Sequence, residues 1–136
     1  MSRTVIKTDR APGAVGPYSQ AILADGWLWC SGQIPLDPAT GQMVDGEIGE
    51  QTRQVLLNLK GLLEAGGAGL DDVVKVNVYL VDMDDFDAVN RVYGEFFKED
   101  PPARACVDVC RLPKGARVEM DAVARIGAVR VGDEAS

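Results

Sequence analysis

PPARACVDVCRLPKGARVEMDAVA, residues 101–124, holds two alternating runs on either side of one turn. Side chains along a strand alternate with a period of two. In the first run, therefore, Arg104, Cys106, Asp108 and Cys110 share one face, and Ala105, Val107 and Val109 share the other. In the second, Val118, Met120, Ala122 and Ala124 oppose Glu119, Asp121, Val123 and Arg125. Between them Leu112-Pro113-Lys114-Gly115 carries turn chemistry that interrupts the alternation. The pattern predicts an antiparallel hairpin with a small apolar face to bury and a second face of arginine, thiol and carboxylate groups. Such a face lines a pocket or meets solvent, and alternation alone does not decide which.

Outward from this stretch the pattern changes period. Asp100-Pro101-Pro102 closes a helix whose inward face is Phe86, Val89, Val92, Tyr93, Phe96 and Phe97, with Asp82, Asp84 and Asp85 as capping candidates. Before it, Val74, Val76, Val78 and Leu80 predict one buried face of a strand within Asp71–Val81. An earlier helix is marked by Ile48, Thr52, Val55, Leu56, Leu59, Leu62 and Leu63, a single apolar stripe that Gly66-Gly67 stops. Three short strands lead the chain, at Val5-Ile6, Tyr18–Leu23 and Trp27–Cys30, the last two joined by Asp25-Gly26, a strong hairpin signal. Ser31-Gly32-Gln33 ends the third strand in a loop, where a glycine serves as turn punctuation or admits a ligand. Asp37 to Gly46 reads as an exposed loop.

This order predicts an α+β domain, a single mixed sheet of about six strands with two helices on one face, over residues 1–127, and a frayed tail over 128–136. The helix-free face is expected to carry Arg104, Cys106 and Glu119. Being half apolar, it suits association with other copies.

Bulk properties remove several function classes. The net charge of −7, with 14 scattered basic residues, opposes a nucleic-acid surface. No histidine is present, so neither a His-activated nucleophile nor an H-E-x-x-H metal site can be built. Three cysteines without C-x-x-C spacing form neither a disulfide framework nor a zinc site. The first residues lack the apolar core of a signal peptide, and no apolar run approaches the ~20 residues of a membrane span. A cytoplasmic protein without membrane or nucleic-acid partners is the expectation.

The run PARACVDVCRLPKGARVEMDAVA resembles the signature of the RidA (YjgF-type) family of enamine/imine deaminases. GPYSQA (Gly16–Ala21), CSGQIP (Cys30–Pro35) and DDFDAVNRVYGEFF (Asp84–Phe97) are similar to that family as well, in the right order. The resemblance implies a homotrimer with a chorismate-mutase-like fold and a cofactor-free, metal-free hydrolase. Its reaction would turn short-lived 2-enamine or 2-imine acids, of the 2-aminoacrylate type, into 2-keto acids and ammonia. Arg104 matches the family's substrate-carboxylate arginine and Glu119 its water-positioning acid. Tyr18, Ser31, Gly32 and Gln33 match positions that face the ligand. Cys106 would shape the pocket rather than attack, since no histidine activates it and Asp108 disfavours its thiolate. Cys30 and Cys110 read as packing residues, and Asn90 as structural or ligand-facing.

Two other readings stay open, a ligand-sensing or partner-binding trimer without turnover, and an endoribonuclease. If the hairpin centres near Lys114, Arg104 and Glu119 lie roughly 17 Å apart on the ladder, too far to hold one small acid. The two would then come from neighbouring chains, with the pocket between subunits.

Overall fold

In the computed structural model, which describes residues 2–127, the chain runs β1 (Arg3–Ile6), β2 (Ala21–Ala24), β3 (Trp27–Gln33), α1 (Ile48–Ala65), β4 (Val73–Leu80), α2 (Phe86–Phe96), β5 (Ala103–Asp108) and β6 (Val118–Arg125). The expected tail at 128–136 lies outside the described residues. The six strands form one mixed sheet in the order β1-β2-β3-β6-β4-β5. Only β4 and β5 pair in parallel.

Local chemistry explains the ends of these elements. Asp25 and Gly26, at φ 53° and 79°, supply the two left-handed residues that a tight β2–β3 hairpin requires. Helix α1 stops where Gly67 takes φ 89°. There the Ala68 N–H reaches the Leu63 carbonyl at 2.8 Å and the Gly67 N–H that of Glu64 at 3.1 Å, the paired bonds of a Schellman stop. Ahead of α2, Asp82 accepts from the Asp84 N–H at 2.9 Å. All seven residues of the α1 stripe are buried, and the six apolar ones share one core with Val89, Val92, Tyr93 and Phe97 of α2 and its C-cap. Leu28, Val76, Val78, Val118 and Met120 join that core from the sheet, so the helices cover one face and leave the other bare.

Three expectations are corrected. First, β5 and β6 are not a hairpin, because β6 inserts between β3 and β4 while β5 pairs with the far edge of β4. The nine residues between Asp108 and Val118 carry the chain across the end of β4. Val109 donates to the Leu80 carbonyl at 2.7 Å, and Val81 to that of Arg117 at 3.3 Å. Second, the face of β5 is inverted. Arg104 pairs with Val76 and Cys106 with Val78, which turns both toward the helices and leaves Ala103, Ala105 and Val107 on the bare face. An edge strand needs little apolar area beneath it, and the long stem of Arg104 fills the space beside α2. Third, Val74 is exposed and Val73 buried, because the β4–β6 register shifts between Val73 and Lys75 and hands the inward position to Val73.

Candidate functional site

The site grows from an irregularity in β3. Cys30 pairs with Ala122 and Gln33 with Met120, so β3 spends one residue more than β6 over this interval. The bulge lifts Ser31-Gly32 out of the ladder beside Glu119. Ser31 is braced by its N–H on the Gln20 carbonyl at 2.9 Å and by its hydroxyl on the Ser19 carbonyl. Gln33, buried, returns its side-chain amide to the Ser31 carbonyl at 3.1 Å. Gly32 then lies flat against the Glu119 carboxyl. A Cβ built at this position would stand 2.0 Å from Oε2.

Above this floor opens a cavity of about 320 Å³, lined by Tyr18, Ser31, Gly32, Gln33 and Glu119 among others. Five of the residues expected from sequence are thus brought together. The far wall is Pro12, Gly13 and Val15, with Ile34 and Leu36 below and Pro113 from the turn before β6. Gln20 holds that wall in place. Its side-chain amide donates to the carbonyls of Thr8 at 3.0 Å, Ala11 at 3.3 Å and Pro12 at 2.9 Å, while its oxygen accepts from the Thr8 N–H at 2.9 Å. Asn58 does the same for the lower wall, donating to the carbonyls of Ile34 at 3.2 Å and Leu36 at 2.9 Å. Sequence reading missed both clamps. Asn58 interrupts the apolar run Val55–Leu59 as a lone amide, which was the available signal, whereas Gln20 follows Ser19 and carried none.

Glu119 is half-buried and accepts no hydrogen bond among the described residues. Burial, followed by the charge of Asp121, holds its carboxyl above the usual range. Asp121 is fully engaged, taking the Asn77 amide at 2.9 Å and the Tyr79 hydroxyl at 2.9 Å.

Arg104 and Cys106 do not join this cavity. Arg104 lies beside α2, donating from Nη1 to Asn90 Oδ1 at 2.7 Å, with its guanidinium 4.9 Å from the Tyr93 ring centre and 5.6 Å from that of Phe86. No carboxylate neutralises it among the described residues, so most of its donors remain free for an anion. Arg104 pairs with Val76, level with Ala122, and Glu119 is three residues further along β6 and two strand spacings across. At ~3.3 Å per residue and ~4.8 Å per strand the separation is roughly 14 Å, and the two side chains lie on opposite faces. The distance differs from the hairpin figure, but within one chain the two groups still do not meet. The Cys106 thiol is raised by burial, with Arg104 opposing and Asp108 adding, so it is not an activated thiolate. Cys30 is buried and pushed up to about 12 by burial, then by Asp121. Cys110, expected to pack, is exposed because it follows the end of β5.

The chain is 55% identical to a RutC family protein of Pyrococcus horikoshii over 90% of this chain and 97% of the relative. It is 49% identical to the human 2-iminobutanoate/2-iminopropanoate deaminase over 90% and 89%. The crystal structure of E. coli TdcF with bound serine superposes with a TM-score of 0.86 at 40% identity, covering 90% of this chain and 98% of that one. The model of the Endoribonuclease L-PSP family matches residues 8–126. The motifs, the fold and these relatives agree, and the chain belongs to the Endoribonuclease L-PSP family, the RidA (YjgF-type) family that its sequence resembles.

Proposed function

We propose that this protein hydrolyses 2-imino and 2-enamino acids to 2-keto acids and ammonia, without a cofactor, at sites shared between copies in a homotrimer. The observation that carries the reading is the Glu119 carboxyl, which is half-buried, without a donor among the described residues and turned over Gly32 into the cavity. The deaminase names of relatives from human, goat, cattle and mouse, at 48–49% identity, support it.

The chemistry needs few groups. The free donors of Arg104 grip the substrate carboxylate with parallel hydrogen bonds. An enamine first takes a proton at its β-carbon and becomes the imine. Water then attacks C2 of the protonated imine while Glu119 removes one of the water's protons. Glu119 returns that proton to the carbinolamine nitrogen. As the C–N bond breaks and ammonia leaves, the carbinol O–H gives up its own proton to the Glu119 carboxylate, which leaves the ketone, and Glu119 then passes that proton to solvent. The imine already reacts slowly with water, and orientation plus one acid–base group supplies the acceleration. Because Arg104 and Glu119 do not meet in one chain, the clamp on a given substrate comes from a second copy. The bare sheet face, with Trp29, Val5 and Val107 exposed, is the surface offered for that association. RNA cleavage, which the family's description names, is disfavoured by the charge of −7 and the absence of histidine.

The test is release of keto acid and ammonia from imines formed in situ by an amino-acid oxidase, across several substrate side chains. Acceleration over buffer that disappears in Glu119→Gln is the expected result. Tight binding of a keto acid with no turnover would instead identify a ligand sensor.

A further inference from the structure

Tyr79 stands directly opposite Glu119 in the β4–β6 register, yet its hydroxyl does not serve Glu119. It crosses diagonally to Asp121 Oδ2 at 2.9 Å. Asn77, directly opposite Asp121, takes the other oxygen at 2.9 Å. The donor opposite Glu119 and the donor opposite Asp121 are thus both given to Asp121. The arrangement costs stability, since Glu119 is left partly desolvated with no donor to it among the described residues.

We propose that Asp121, clamped by Asn77 and Tyr79, is a positioning residue for Glu119. It draws off the neighbouring donors and fixes a negative charge beside the carboxyl, so that Glu119 stays a ready proton acceptor over Gly32. This rests on the deaminase reading above and adds to it which residues set the acid–base group. A carboxylate already served by a phenol and an amide is a weak base. One kept free of both and beside a like charge takes a proton from attacking water more readily.

The groups that face Glu119 are few. On its own strand there is Asp121. On β4 there is Tyr79, with Lys75 further along opposite Val123. From β3 come Ser31, Gly32 and Gln33, none charged, and from the loop before β2 comes Tyr18. Pro113 borders the cavity from the turn before β6, next to Lys114. In the assembly proposed above a second copy adds its Arg104. Asp121 is therefore the one acidic neighbour among them. Burial raises the Glu119 carboxyl first and Asp121 raises it further.

Removing that charge must lower the pH at which Glu119 takes up its proton. The acidic limb of kcat/KM, where activity is lost as Glu119 protonates, should move down in Asp121→Asn, which keeps the shape and both hydrogen-bonding partners. Burial, the larger cause, stays in place and only the contribution of the Asp121 charge is removed, so the limb moves down without reaching the position of a fully solvated carboxyl. Near neutrality kcat should fall about three- to tenfold, as the weaker base reacts more slowly. Asp121→Glu should restore the limb and most of the rate. Tyr79→Phe keeps the charge and should leave the limb in place. If Asp121→Asn fails to fold, Asp121→Ser removes the charge with less bulk and is read the same way.

An unmoved limb in folded Asp121→Asn overturns the proposal. Equal downward shifts in Asp121→Asn and Tyr79→Phe also overturn it, since they trace the effect to general loosening of the β4–β6 pair. If wild-type turnover is absent, or survives in Glu119→Gln, the deaminase reading itself has failed instead.

Discussion

Replacing Gly32 with alanine separates the placement of Glu119 from its chemistry. The new Cβ would lie 2.0 Å from Oε2 and 3.0 Å from Cδ of Glu119. Ordinary contact begins near 3.4 Å, so the oxygen must retreat by about 1.4 Å. The atom it meets is the end of a flexible side chain, and Gly32 is not among the glycines with positive φ. Alanine therefore suits the backbone, and the lower entropy of its unfolded state offsets the displacement to within about 1 kcal/mol. The melting temperature should move by no more than a few degrees. Activity should respond differently, because displacing a reacting group by ~1 Å costs on the order of 100-fold, or about 2.7 kcal/mol of barrier. The loss should fall on kcat with little change in KM, since the substitution leaves Arg104, the proposed carboxylate clamp, untouched. The assay is keto-acid release over a substrate titration, beside a thermal melt, with Gly69→Ala, whose Cβ meets nothing within 4 Å, as a control. A folded Gly32→Ala enzyme within about threefold of wild type would refute the idea that Glu119 acts from this position.

Arg104→Lys keeps the charge but loses the planar fork and the fit between Asn90 and the Tyr93 ring, so turnover should drop at least tenfold while the melt stays near wild type. Near-normal turnover would end the clamp role. Mixing inactive Arg104→Ala and Glu119→Ala chains after dissociation and reassociation should restore activity, because some interfaces then hold one intact copy of each group. Reassembled mixtures no better than either parent would rule out a shared site. Asn58→Leu strips the Ile34 and Leu36 carbonyls of a buried partner and should lower stability by about 2–4 kcal/mol, seen as a lower urea midpoint with unchanged slope.

What the sequence made legible is what local physics decides. The α1 stripe, its Gly66-Gly67 stop and the Asp25-Gly26 turn depend only on periodicity and on residues that tolerate positive φ. The placement of Glu119 and Asp121 on one face followed from alternation in β6. Pairing did not, because it depends on which edge of β4 each strand meets. Two alternating runs around a proline-glycine turn look alike whether they pair with each other or flank a third strand. That ambiguity also inverted β5, since parallel pairing with Val76 and Val78 decides which face Arg104 takes. The Asn77–Asp121–Tyr79 contact was hidden for the same reason, as its members are 42 and 44 residues apart and meet only through register.

The central place of β6 has a consequence for how the chain acquires its structure. Until Val118–Arg125 is available, β1-β2-β3 and β4-β5 share no ladder, and the pairs that join them, such as Trp29 with Val123 and Val78 with Met120, cannot form. During synthesis the two halves emerge first, each with an open strand edge exposed to solvent and to other chains. The last strand closes both edges in one step and brings Glu119 to Gly32 in the same event. Such late, long-range closure slows folding relative to a sheet of sequential hairpins. The nascent chain is therefore most prone to aggregation just before the ribosome releases the strand that carries Glu119.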